Sequence, residues 1–81
     1  MRQPLMTDLR LYSKPGCGLC DHAKIMLQTA KLEYREINIL EDAAAMALYA
    51  FEIPVLTDSS GTELLKGNFS EAQVAALLMR L

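Results

Sequence analysis

The chain contains the stretch Tyr12-Ser13-Lys14-Pro15-Gly16-Cys17-Gly18-Leu19-Cys20. Residues 9–12, which lead into it, alternate between apolar and polar side chains, the period of a strand, and Pro15 and Gly16 interrupt that period. Beyond the first cysteine, apolar residues recur every three or four positions, which is the spacing of an amphipathic helix over residues 18–31. This apolar stripe consists of Leu19, Ala23, Met26, Leu27 and Ala30. The stretch therefore predicts that both cysteines lie where a strand gives way to a helix.

The middle of the chain predicts two more strands and a second helix. Residues 34–39 are rich in β-branched and aromatic side chains, which are typical of a strand. Asp42 is placed to cap a helix over residues 43–50, because its carboxylate can accept hydrogen bonds from the free amides of the first turn. Pro54 cannot donate to a sheet and restrains the residue before it, so a new strand is expected over residues 55–57.

The final part of the chain predicts a hairpin and a third helix. Turn-forming residues 58–61 join the third strand to a fourth over residues 63–65. Ser70 and Gln73 match a capping box, and Phe69 is placed to pack against Val74 across the helix start. The apolar stripe of this helix consists of Val74, Leu77, Leu78 and Leu81. The order βαβαββα predicts the α/β class, and 81 residues suffice for one domain, residues 1–81.

Composition excludes several classes of function. Eight basic against ten acidic residues give a net charge of −2, without the basic surface of a nucleic-acid-binding protein. No apolar run approaches the ~20 residues that span a bilayer. Residues 1–8 lack the apolar block of a secretory signal, so we expect a cytoplasmic protein without a membrane partner. Two cysteines are too few for a secreted disulfide framework, and cytosolic thiols are normally kept reduced.

The two cysteines are expected to differ in acidity. The positive end of the helix dipole and the unpaired amides at the helix start favour the thiolate of Cys17. Cys20 lies one turn further on, where the dipole is weaker and neighbours shield it, so it should keep its proton longer. Cys17 would then attack a target disulfide, and Cys20 would attack the Cys17 sulfur to release the reduced target. This pattern predicts a monomeric thiol-disulfide oxidoreductase that needs no metal or organic cofactor.

Two neighbours of the first cysteine are candidate substrate-binding residues. Gly16 has no side chain and leaves the Cys17 sulfur open to an approaching disulfide. Lys14 could attract thiolates or anionic substrates, and a solvated loop lysine is an equal alternative.

Two other functions remain open at this point. The CxxC pattern is also half of many zinc sites, but the chain offers only Cys17, Cys20 and His22, and His22 points to nearly the opposite side of the helix. A dimer would supply four thiolates for a metal ion or an iron-sulfur cluster. The fold could also serve as a peptide-binding or partner-binding module without redox turnover.

The sequence resembles a glutaredoxin-like member of the thioredoxin superfamily over nearly the whole chain. Four segments carry the resemblance: residues 12–20, the link 38–42, Ile53-Pro54-Val55-Leu56, and Lys66-Gly67-Asn68-Phe69-Ser70-Glu71. The resemblance implies a thioredoxin-like fold, with a four-stranded mixed sheet, its third strand antiparallel, flanked by three helices. It also implies that Pro54 is cis and faces the cysteines, while Ile53 offers its backbone to a substrate chain.

The resemblance further implies that the loop before the last helix binds substrate. Glutaredoxins that use glutathione carry a paired-glycine motif there, whereas this chain has Gly67, Asn68 and Phe69. Asp21 and Glu52 would each repel an anionic tripeptide by about 1 kcal/mol at surface dielectric. Glutathione therefore stays open as a co-substrate. The expected substrates are disulfide-containing proteins or small molecules, with glutathione or a thioredoxin-reductase-like enzyme as the electron donor.

Overall fold

The computed structural model describes residues 8–80 and contains four strands and three α-helices within that range. The elements are β1 (Leu9–Ser13), α1 (Gly18–Thr29), β2 (Tyr34–Asn38), a short 3-10 helix (Ile39–Glu41), α2 (Ala43–Tyr49), β3 (Val55–Thr57), β4 (Glu63–Lys66) and α3 (Glu71–Leu78). Their order confirms the predicted βαβαββα arrangement. None of the helices within residues 8–80 is long and apolar enough to cross a membrane.

The four strands form one mixed sheet in the order β2-β1-β3-β4. β1 runs parallel to β2, and β3 runs antiparallel to both β1 and β4. Tyr12 of β1 is paired with Val55 of β3, and Val55 is paired with Lys66 of β4. The C-terminal ends of β1 and β4 and the N-terminal end of β3 therefore meet at one end of the sheet. We call this end, marked by Ser13, Val55 and Lys66, the cysteine end.

The helices cover the two faces of the sheet unequally. Neighbouring residues of a strand point to opposite faces, so Leu11 joins the core cluster under α1 and α3 while Tyr12 packs against the cluster under α2. The larger cluster consists of Leu9, Leu11, Ala23, Met26, Leu27, Leu32, Leu56, Leu65, Phe69, Val74 and Leu77. The smaller cluster consists of Ile39, Ala45, Tyr49 and Val55.

Helix α1 ends at Thr29, two residues before the predicted end. Lys31 adopts a φ of 61°, the left-handed region that ends helices. The amide of Lys31 donates to the Gln28 carbonyl, and the amide of Leu32 donates to the Leu27 carbonyl, each at 3.0 Å. These bonds satisfy carbonyls at the helix end, so the chain turns back towards β2 earlier than its apolar periodicity indicates.

The predicted caps of α2 and α3 are both present. The Asp42 carboxylate accepts a hydrogen bond from the Ala45 amide at 3.0 Å. The Ser70 hydroxyl accepts from the Gln73 amide at 3.2 Å, and the Gln73 side chain accepts from the Ser70 amide at 2.9 Å. This reciprocal pair is the capping box that the sequence predicts, and it fixes the start of α3 at the cysteine end.

Leu19, Leu78 and the end of the second strand also depart from the sequence prediction. Leu19 and Leu78 were expected on buried stripes but are 45% and 41% exposed, because each lies at a helix end beyond the packed part of its face. Leu81, the last residue of the predicted α3 stripe, lies outside the described residues. The second strand ends at Asn38, because its side chain accepts a hydrogen bond from the Leu40 amide at 2.9 Å and starts the 3-10 helix.

Candidate active site

The two cysteines lie in the turn that joins β1 to α1. Cys17 is the N-cap of α1, and its sulfur accepts a hydrogen bond from the Cys20 amide at 3.1 Å. The Cα atoms of Cys17 and Cys20 are 5.2 Å apart and their sulfur atoms form a disulfide. Gly16 has a φ of 79°, a backbone conformation that residues other than glycine rarely adopt, so this glycine makes the turn possible.

The cysteines differ sharply in exposure. Cys20 is fully buried inside α1, whereas Cys17 is half-buried at the helix start. Open space flanks Cys17, since a Cβ atom added at Gly16 or Gly18 would meet no atom within 4 Å. An incoming disulfide therefore has access to the Cys17 sulfur and not to the Cys20 sulfur.

The segment before β3 lies at the same end of the sheet. Pro54 precedes Val55, which is paired with Tyr12, so the antiparallel register brings Pro54 next to Ser13 at the end of β1. The peptide bond between Ile53 and Pro54 is cis, as the resemblance implied. Pro54 is buried and Ile53 is half-buried. The end of β1 that leads into the cysteine turn is therefore directly beside this proline.

The loop before α3 completes the cysteine end. The Gly67 amide donates to the Pro54 carbonyl at 2.8 Å, so this loop is tied to the segment before β3. Gly67 has a φ of 69° and Asn68 is exposed. Phe69 is 2% exposed and belongs to the larger core cluster, so this residue packs in the core and is not open to a ligand, contrary to its expected substrate-binding role. Its expected packing with Val74 is consistent with this placement.

The remaining candidate residues surround the cysteine turn. Lys14 is exposed in the loop after β1, and His22 is exposed on α1. Among residues 8–80, no group of three or more histidine, cysteine, aspartate or glutamate side chains is arranged to hold a metal ion.

The two carboxylates expected to repel glutathione each have a cationic neighbour. Glu52 lies 3.5 Å from Lys66, and Asp21 lies 3.6 Å from Lys24. The Glu52–Lys66 pair is solvent-exposed and the Lys24 side chain is partly buried, so the lysines offset part of the negative charge near the cysteine end. The repulsion of an anionic tripeptide is therefore smaller than two bare carboxylates would give.

Sequence reasoning missed a polar cluster between α1 and β2. Glu36 accepts hydrogen bonds from the buried Ser13 hydroxyl at 2.8 Å and from Lys24 at 3.0 Å. The Lys24 and Ser13 hydrogen bonds lower the pKa of Glu36, and the Glu36 hydrogen bond raises the pKa of Lys24. The only signal in the sequence was the spacing of Asp21 and Lys24 on one helix face.

Together, the fold and the paired cysteines define a thioredoxin-fold protein with a CxxC disulfide at the start of α1. Residues 8–79 match the family model described as Glutaredoxin-like domain (DUF836). The chain belongs to this family of glutaredoxin-like proteins. No protein among curated sequences matches the chain.

Solved structures resemble the chain over most of its length. The X-ray structure of XcR50 from X. campestris has a TM-score of 0.79 and 34% identity, and the match covers 90% of this chain and 97% of that protein. The NMR structure of Ne2328 from Nitrosomonas europaea has a TM-score of 0.74 and 24% identity, over 95% and 98% of the two chains. Thioredoxin 1 from Thermosipho africanus has a TM-score of 0.59 and 16% identity, over 90% and 91%, and shares the fold.

Proposed function

We propose that the protein is a thiol-disulfide oxidoreductase that uses Cys17 and Cys20 as a redox pair. In the dithiol form, the Cys17 thiolate attacks one sulfur of a substrate disulfide. The Cys17 sulfur and that substrate sulfur form a mixed disulfide, and the other substrate sulfur leaves as a thiolate that takes up a proton from water.

The second step uses the buried cysteine. Cys20 loses its proton to solvent and attacks the Cys17 sulfur, which breaks the mixed disulfide and forms the Cys17–Cys20 disulfide. The second substrate sulfur leaves as a thiolate and is protonated. Two electrons thus pass from the protein dithiol to the substrate, and a dithiol or thiol donor restores the reduced protein.

One observation carries the proposal: the two sulfur atoms lie within bonding distance at a helix start, with only Cys17 accessible. The hydrogen bond from the Cys20 amide to the Cys17 sulfur is oriented to stabilise negative charge on that sulfur. The positive end of the α1 dipole acts in the same direction. Accessibility and thiolate character therefore coincide on Cys17, as an attacking cysteine requires.

The rest of the cysteine end supports a substrate-binding role. Ile53 is half-buried beside Pro54, and its backbone could pair with an extended substrate segment as a short added strand. The further candidate contacts are Lys14, Gly16, Gly67 and Asn68. The proposed substrates are protein or small-molecule disulfides. The protein is proposed to act as a monomer in the cytoplasm. Glutathione or a thioredoxin-reductase-like enzyme is the proposed donor.

The Cys20→Ser variant tests this mechanism. It should accumulate a mixed disulfide at Cys17 when mixed with a disulfide-containing peptide, because the second step has no attacking sulfur. Intact-mass measurement under non-reducing conditions detects the adduct. The rate of adduct formation should stay substantial well below pH 8, where an ordinary thiol of pKa about 8.5 becomes unreactive.

The matched control is Cys17→Ser, which leaves only the buried sulfur and should trap almost nothing. Equal trapping by the two variants would contradict the assigned roles. If neither variant traps the peptide, the protein is a binding module rather than an enzyme.

A further inference from the structure

The outward side of α2 is unusually apolar for an exposed helix. Ala44 and Leu48 are one turn apart on α2, Phe51 follows at its end, and Leu40 precedes it in the 3-10 helix. All of them are exposed, Leu40 at 58%, Leu48 at 66% and Phe51 at 100%. We call the surface formed by Leu40, Ala44, Leu48 and Phe51 the α2 face. Single exposed apolar residues are common, but a run of them on one element indicates an interaction surface.

One end of the α2 face is close in the chain to the proposed substrate site. Phe51 lies two residues before Ile53, the residue proposed to pair with a substrate backbone. On its inner side α2 is anchored by Ala45 and Tyr49, and Tyr49 packs on Tyr12 with ring centroids 4.7 Å apart. Tyr12 belongs to the strand that leads into the cysteine turn. A partner that covers Phe51 would therefore lie near Ile53, at the end of the sheet that carries the cysteine turn.

Acidic residues border the α2 face at both ends. Glu41 and Asp42 precede α2, and Glu52 follows Phe51. Lys66 lies 3.5 Å from Glu52 and also 3.5 Å from Glu63, so two carboxylates share one ammonium group and negative charge remains. A partner that covers the apolar surface would gain further from cationic side chains at its rim.

The same charges disfavour a second copy of the chain as the occupant. A symmetric dimer that pairs two α2 faces antiparallel would bring Glu52 of one copy near Glu41 and Asp42 of the other. Like charges placed together across an interface oppose association. The charge pattern thus favours a different protein over self-association.

We propose that the α2 face docks disulfide-containing protein substrates whose segments beside the disulfide are apolar and basic. An apolar side chain would pack on Phe51 and Leu48, and lysine or arginine would lie near Glu41 and Glu52. This inference rests on the proposed oxidoreductase function and names the substrate class of that site. The surface adds binding energy for proteins and contributes nothing to small disulfides that do not reach it.

Reduction rates with matched substrates test the proposal. The full-length protein in its dithiol form is mixed with one of three substrates. They are a disulfide peptide flanked by leucine, phenylalanine and lysine, a peptide of equal length flanked by serine and glutamate, and cystine. The Phe51→Ser variant should lower the second-order rate constant for the first peptide by about tenfold and leave the cystine rate unchanged. The control Met79→Ser, 86% exposed at the end of α3, should change neither rate.

The proposed role of the acidic residues beside the α2 face is tested separately. Glu41→Gln should lower the rate for the basic peptide by about twofold to threefold and weaken its dependence on salt concentration.

The outcomes distinguish failure of the docking inference from failure of the oxidoreductase function. If the wild-type protein reduces neither cystine nor the peptides, the oxidoreductase function fails. If it reduces cystine but treats both peptides alike, or if Phe51→Ser leaves the peptide rates unchanged, the docking inference fails while the function stands. A wild-type dimer in sedimentation that Phe51→Ser converts to monomer would also overturn the inference, since a second copy would then occupy the α2 face.

Discussion

The two faces of the sheet divide stability and function between them. The face under α1 and α3 carries the larger core cluster, to which both helices and three strands contribute. The face under α2 carries a smaller cluster around Tyr49 and Val55, and the buried Thr57 hydroxyl has no hydrogen-bond partner among residues 8–80. The smaller cluster nevertheless supports Ile53 and Tyr12, which lead to the proposed site. Residues of the larger cluster should therefore contribute most to the free energy of unfolding. Residues of the smaller cluster should determine the geometry of the cysteine end.

The largest expected effect is on the α1 and α3 face. Leu27 is completely buried there, so Leu27→Ala should lower the free energy of unfolding by about 3 kcal/mol, through lost burial and the cavity left behind. Chemical denaturation measures this loss. Ile25→Ala, a change in the same helix at a residue that is 60% exposed, should cost far less. The folded Leu27→Ala protein should keep the wild-type rate of adduct formation at Cys17. A large drop in that rate would contradict the proposal that the two sheet faces have separate roles.

On the face under α2, a substitution is expected to cost less stability than Leu27→Ala but to affect the Cys17 site more. Val55 is completely buried, and Val55→Ala should cost about 2 kcal/mol. Because Val55 is paired with Tyr12 and follows Pro54, the change should also slow adduct formation at Cys17 in the folded protein. Stopped-flow measurement in native buffer gives the rate. If Val55→Ala and Leu27→Ala alter the Cys17 rate equally, the two faces are not functionally distinct.

The smallest effect concerns the polar contacts of the α1 and α3 face. The Glu36 side chain is 44% exposed, so solvent screening limits its ion pair with Lys24, and Glu36→Gln should cost about 0.5 kcal/mol at neutral pH. Since the pKa of Glu36 is lowered in the folded protein, its contribution exists above the unfolded value of 4.5 and disappears as the pH falls through the folded value. Urea denaturation from pH 7 to pH 3 should show the two proteins converging in acid. A constant difference across this range would assign the effect to packing.

Much of the fold follows from local sequence signals. β3 was predicted at its observed residues because Pro54 marks its start and the turn formers after Thr57 mark its end. The start of α3 was predicted because Ser70 and Gln73 satisfy each other's backbone amides, which needs no distant partner. The cysteine turn likewise lies within nine consecutive residues. Signals of this kind depend only on residues that lie close together in the sequence.

The missed features depend on contacts between distant residues. The bond from Ser13 to Glu36 joins two strands separated by a whole helix, so spacing along the chain could not indicate it. Periodicity gave the buried direction of α1 but not where its packed part begins, which is why Leu19 was misplaced. The apolar α2 face was missed for a related reason, since an alanine-rich helix has no polar side to show which residues face solvent.

The outer strands have a consequence for behaviour in a crowded solution. β2 and β4 form the two edges of the sheet, where unpaired backbone groups could recruit strands from other molecules. Arg35 and Glu36 on one edge and Glu63 and Lys66 on the other are exposed and charged, and the register of β4 shifts near Thr57. Charges and irregular pairing on edge strands discourage sheets from joining edge to edge into fibrils. The proposed oxidoreductase would expose a reactive sulfur to other chains repeatedly, and its charged edge strands would keep those encounters from becoming backbone pairing.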